Sequence, residues 1–97
     1  MKQITASQAH EQSAFILDVR TSAERHQAHI EGSLHIPLQE LPARLDELPD
    51  GPIVCQCLSG GRSAQAAAFL AAQGRDVANL VGGIQAWHAA GLPLQTG

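Results

Sequence analysis

Three short apolar runs constrain this chain more than any other feature of its sequence. They are AFILDV at residues 14–19, PIVCQ at 52–56 and DVANLV at 76–81. Each has the length and apolar density of a buried strand, and the first ends in a charge. The stretch between the second and third reads as a strong helix. From Ser63 to Gln73 it carries Ala or Leu at seven positions, and Gly74 supplies a stop. Strands separated by helices require crossover connections. The expected architecture is therefore α/β, a small parallel sheet with helices on both faces.

The remaining segments fit around that frame. KQIT at 2–5 is a short strand. Thr5 or Ser7 can cap a brief helix running through Ala9 to Gln12. Ser22 is positioned to cap a helix over SAERHQAH, and SLHI at 33–36 is a strand ended by Pro37. Residues 38–48 are apolar at 38, 41, 45 and 48, one helical face, with a break expected just before Pro42. Asp50-Gly51-Pro52 is a turn, and GGIQAWHAAG is a final short helix in which Trp87 packs onto the core. No repeat, linker or low-complexity stretch interrupts the 97 residues, so a single domain over 1–97 is expected.

Composition excludes several classes of function. A 44% apolar and 15% charged chain suits a globule. With a net charge of −3 and six scattered basic residues, no patch reads as a nucleic-acid or membrane surface. No run approaches the roughly 20 apolar residues that span a bilayer, and no apolar leader opens the sequence. A cytoplasmic location is the expectation. Two cysteines one residue apart are no disulfide framework, so the question is whether either thiol reacts.

Cys57 stands where the second apolar run gives way to Leu58, Ser59, Gly60, Gly61, Arg62 and Ser63. In open α/β sheets, functional sites lie beyond the carboxyl ends of strands, where strand turns into helix. Glycines at 60 and 61 allow successive backbone N–H groups to turn inward as an anion-binding nest. A helix starting near Ser63 adds the positive end of its dipole, and Arg62 adds a full charge, the only one in the loop. Such a ring depresses a thiol pKa and holds an anionic substrate against it. A lone cysteine at a strand end is ordinarily a small buried hydrophobe. The conjunction Cys-x-x-Gly-Gly-Arg-Ser points instead to a reactive thiol. Cys55, two residues earlier on the same face, is expected in the core, with a resolving thiol as the alternative. His26 and His29 have no ligand-type spacing around them and are not assigned to a metal. His35 and His88 are expected at the surface or in loops.

These residues resemble the active-site loop of the rhodanese-like domain, a sulfurtransferase family. Cys57, Gly60, Arg62 and Ser63 fill that family's Cys-x-x-Gly-x-Arg-Ser/Thr pattern. Leu17-Asp18-Val19-Arg20, the stretch from His29 to Pro37, and Gly82-Gly83-Ile84-Gln85-Ala86-Trp87 are similar to three further family signatures, in order. Departures include Glu31 where the family usually has Pro, Arg25 where an aromatic is frequent, and Leu58 where a polar or basic residue is frequent. Related phosphatases have five residues between Cys and Arg. Here there are four, which resembles the sulfurtransferase pocket.

The resemblance implies ping-pong chemistry. Cys57 takes a sulfane sulfur from thiosulfate or a low-molecular-weight persulfide, and residues 58–63 cradle it. A thiol or cyanide, or a protein sulfur acceptor, then removes it. No metal or organic cofactor is implied. Asp18, Arg20 and Glu24 are expected as structural support, with Arg20 and Glu24 forming a pair four residues apart behind the site. Asp18 is expected to bond neighbouring loops. The alternative is a binding or relay module that receives persulfide from a protein partner without bulk turnover.

Overall fold

The computed structural model describes residues 2–97, and in it the three apolar runs lie side by side. In chain order the elements are β1 (Lys2–Ile4), α1 (Ala6–Glu11), β2 (Ile16–Asp18), α2 (Ser22–Gln27), β3 (His29–Ile30) and β4 (Leu34–His35). Two 3-10 turns follow, Leu38–Ala43 and Leu45–Glu47. Then come β5 (Ile53–Gln56), α3 (Gly61–Ala72), β6 (Val77–Leu80), α4 (Gly83–Ala89) and β7 (Leu94–Gln95). The main sheet has the order β1-β6-β5-β2-β4, and every neighbouring pair is parallel.

Alternation along the strands divides the core in two. Leu17, Val19, Ile53, Cys55, Cys57 and Val77 face one side, where Ala66, Ala67 and Leu70 of α3 and Leu41 cover them. Ile16, Val54 and Leu80 face the other, against Ala6 and Ala9 of α1 and Ile84 and Trp87 of α4. Both faces of the expected sheet are thus covered by helices. A parallel sheet needs this, because its strands are apolar on both sides. Trp87 is 4% exposed, and its indole N–H donates to the Pro93 carbonyl at 2.8 Å.

Several elements differ from the sequence reading. Thr21, not Ser22, caps α2. Its hydroxyl accepts the Glu24 amide while the Glu24 carboxylate accepts the Thr21 amide, a reciprocal capping box. The helix stops at Gln27 because Ala28 is already extended, and His29–Ile30 pairs antiparallel with β7. Neither β3 nor β7 was expected. Residues 38–48 form two 3-10 turns rather than an α-helical segment, and Pro42 lies inside the first. Proline has no N–H for an α-helical ladder and its ring crowds the preceding turn. α3 begins at Gly61, two residues earlier than expected. His35 sits in β4, half-buried, with Nε2 at 2.7 Å from the Arg20 carbonyl oxygen, rather than at the surface.

Candidate active site

The central strand β5 delivers Cys57 to the carboxyl edge of the sheet, one residue past the strand's end. The chain then turns through Gly60 and enters α3. Gly60 has φ +121°, a conformation that side-chain-bearing residues rarely adopt. Gly61 is helical, and a side chain there would meet open space. Of the two glycines, Gly60 is the one the turn requires.

The turn aims donors at the Cys57 sulfur. The Gly60 amide lies 3.1 Å from Sγ, and the amides of Ser59 and Ser63 point to it as well. The Ser63 hydroxyl carries one proton and faces three acceptors: the Asn79 side-chain oxygen at 2.5 Å, the Gly60 carbonyl at 3.2 Å and Sγ at 3.3 Å. A thiolate is the one anion among these acceptors and competes best for the proton. Burial pushes the Cys57 pKa upward, but the Ser63 hydroxyl and the three amides outweigh it. The net displacement is below the ordinary thiol value. Cys55, two residues back, has no such donors. Burial, with the neighbouring Cys57 charge, pushes its pKa up to about 12.

The carbonyl side of the loop is held separately. The Ile84 amide donates to the Cys57 carbonyl at 2.9 Å, and the Gln85 amide donates to the Leu58 carbonyl at 3.2 Å. Buried Gln56 adds a 2.8 Å bond from Nε2 to the same Cys57 carbonyl. With the carbonyls turned outward and tied, the amides stay turned inward. Gly83 makes this approach possible. A Cβ there would stand 2.5 Å from both the Cys57 and Leu58 carbonyl oxygens.

The charged residues pair differently from the expectation. Arg20 does not meet Glu24. Its Nε and Nη2 bond the two Asp18 oxygens at 3.0 and 2.9 Å, and Nη2 also donates to the Ala28 carbonyl at 2.7 Å. Asp18 thus bonds two guanidinium groups, Arg20 and, at 3.4 Å, Arg25, and accepts one loop amide, that of Arg20, at 3.0 Å. Arg25 donates to Ser33 Oγ at 2.9 Å and to the Ser33 carbonyl at 2.8 Å, so this departure from the aromatic pattern ties α2 to the turn before β4. Glu24 instead takes Arg62 in a two-pronged pair, Nη1–Oε1 at 2.6 Å and Nη2–Oε2 at 2.8 Å. The Arg62 guanidinium holds the Glu24 carboxyl down to about 2. Arg62 therefore bonds a carboxylate and not the thiol. The ring around Sγ is built from backbone and hydroxyl donors.

Three residues here escaped the sequence reading: Asn79, Gln56 and the steric role of Gly83. Asn79 had a signal. It shares the Val77 face of β6, so a polar side chain points into the cluster beneath α3. It receives the Ser63 hydroxyl and donates to the Gly60 carbonyl at 3.3 Å.

The fold and this thiol cradle define a class, a parallel α/β domain with a donor-ringed cysteine after its central strand. The family comparison places it further: the rhodanese-like domain matches residues 2–90, and the chain belongs to that family. A sulfurtransferase of Allochromatium vinosum is 44% identical over 85 residues, covering 86% of this chain and 79% of that protein. The thiosulfate sulfurtransferase GlpE of Haemophilus influenzae is 35% identical over 101 residues, covering 98% and 95%. Among solved structures, a rhodanese-related protein from Thermoplasma volcanium superposes with a TM-score of 0.92 at 32% identity, covering 98% of each chain.

Proposed function

We propose that this protein is a sulfurtransferase that carries sulfur as a Cys57 persulfide. The observation that carries the reading is the convergence of the Gly60 amide and the Ser63 hydroxyl on Cys57 Sγ, with the thiol pKa lowered. Family membership and relatives named as sulfurtransferases support sulfur transfer as the reaction.

The Cys57 thiolate attacks the outer sulfur of a donor and forms a new S–S bond. The donor's own bond to that sulfur breaks, and its electron pair leaves with the departing group. From thiosulfate that group is sulfite, and from an organic persulfide it is a thiolate. The product is Cys57–S–S⁻. The first amides of α3, at Gly61 and Arg62, have no intrahelical carbonyl to receive them and are the donors that would take its terminal sulfur. These donors act on the developing charge as an oxyanion hole does on oxygen. A thiol acceptor, or cyanide, then attacks the terminal sulfur and releases the Cys57 thiolate. Sulfur transfer of this kind is nucleophilic throughout, so no metal or organic cofactor takes part.

Intact mass spectrometry after mixing with thiosulfate or glutathione persulfide tests the reading. The expected result is a gain of one sulfur atom, lost on adding cyanide and absent from Cys57→Ser. No gain from either donor, or a gain that survives in Cys57→Ser, overturns it.

A further inference from the structure

Arg62 is the loop's only cation, and it arrives already occupied. Both its nitrogens at the fork end bond Glu24, and the carboxylate is fixed from its other side too. Glu24 Oε1 accepts the Thr21 amide at 3.1 Å and the Thr21 hydroxyl at 3.0 Å, as part of the α2 capping box. The pair is therefore preorganised rather than two loose side chains meeting in solvent.

The other Lys and Arg side chains among the described residues are bonded elsewhere. Arg20 and Arg25 are paired with Asp18, Arg44 with Glu40 and Glu47, and Lys2 with Asp76. Arg75 donates to the carbonyls of Leu45 and Pro49. All six Lys and Arg side chains are committed among the described residues. A doubly charged donor approaching Cys57 meets a neutralised guanidinium with a carboxylate fixed against it.

Resting on the sulfur-transfer reading, we propose that Glu24 is a donor-selecting residue: by closing Arg62 it disfavours doubly anionic donors such as thiosulfate and tunes the site to persulfides of organic thiols. The chemistry balances for such a donor. Cys57–S⁻ attacks the outer sulfur of RS–SH, the RS–S bond breaks, RS⁻ departs with the electron pair, and Cys57–S–SH forms. Its proton then passes to RS⁻. No more than one negative charge has to be accommodated at the reacting end. Thiosulfate, by contrast, brings two charges and releases doubly charged sulfite beside the carboxylate. Beside the loop, Glu24 lines a groove of about 280 Å³ in which apolar Leu58, Ile84 and Leu94 stand with polar Arg20, Gln85 and His88, a mixed wall that suits the organic part of a persulfide.

Glu24→Gln tests this, because Gln can still accept the Thr21 amide in a capping box and α2 should hold. Single-turnover loading of Cys57 is followed by intact mass with thiosulfate and with the persulfide of 2-mercaptoethanol, at low and high salt. The expected result is a shift of the second-order loading-rate ratio toward thiosulfate by roughly tenfold, the scale of one part-buried charge interaction. Most of it should appear in the donor concentration that gives half the maximal loading rate. Thiosulfate loading of the variant should also become steeply salt-dependent, since the freed guanidinium attracts anions through solvent. A purely structural role for Glu24 would slow both donors alike and leave the salt slope flat. An unchanged donor ratio overturns the proposal while leaving sulfur transfer intact. A wild type that loads from neither donor overturns sulfur transfer, and the proposal with it.

Discussion

Cys55 and Cys57 differ by two residues, face the same side of the sheet and are both shielded from solvent, at 0% and 1% exposure, with Cys55 the deeper of the two. Their acidities nonetheless move in opposite directions. Within β5 the backbone amides are spent on neighbouring strands, β2 and β6, and the Cys55 sulfur meets apolar side chains. One residue past the strand, the amides have no ladder partner and turn toward Cys57 instead. Burial alone makes a thiol inert. Burial next to unpaired, preorientated donors makes it reactive. The strand end, and not the cysteine, makes the difference.

The largest expected effect separates the two thiols outright. Cys57→Ser should abolish sulfur loading with the fold intact. Cys55→Ser should keep transfer but lose about 1–3 kcal/mol of stability from burying a hydroxyl. Loading by mass spectrometry and urea unfolding read the two outcomes. Transfer surviving in Cys57→Ser breaks the comparison.

Next comes the brace behind the loop. Gly83→Ala places a methyl group against two carbonyl oxygens. It should cost about 3 kcal/mol and slow transfer by pulling those carbonyls away from α4. Normal transfer rates in a destabilised Gly83→Ala protein would mean that the brace supports the fold but not the cradle.

A smaller effect belongs to the hydroxyl. Ser63→Ala removes a donor to Cys57 and should move its alkylation midpoint upward from the lowered position of the wild type. Because the folded pKa is lowered, the thiolate's contribution to stability is complete above the unfolded pKa. It is lost as pH falls through the folded one. Ser63→Ala should narrow that window. A midpoint in wild type at or above the free-thiol value would erase the contrast with Cys55.

The smallest effect belongs to Gly61, set against its neighbour Gly60. Gly61→Ala should be nearly silent, within about 0.5 kcal/mol, since its position is helical and open. Gly60→Val should cost about 1–3 kcal/mol and impair loading, because φ +121° excludes a branched side chain. Equal effects from the two substitutions would show that the turn does not depend on Gly60's backbone.

The sequence by itself determined the strand–loop–helix unit around Cys57, and with it the parallel sheet. The apolar run of β5, the left-handed turn at Gly60 and the Ala-rich helix are local, adjacent features. Their meaning does not depend on what packs against them. The T-x-x-E signature at Thr21 to Glu24 was equally local and marked the true start of α2, one residue before Ser22. Tertiary structure alone decided the partners. Four-residue spacing pairs charges only inside one helix, and Arg20 lies before the cap of α2, so it turned back to Asp18. Glu24 then met Arg62, 38 residues further on. Asn79 reached Ser63, and Gly83 reached the Cys57 carbonyl, for the same reason. Which side chains converge on a strand end depends on which strands and helices stand beside it, and that order is a property of the folded sheet.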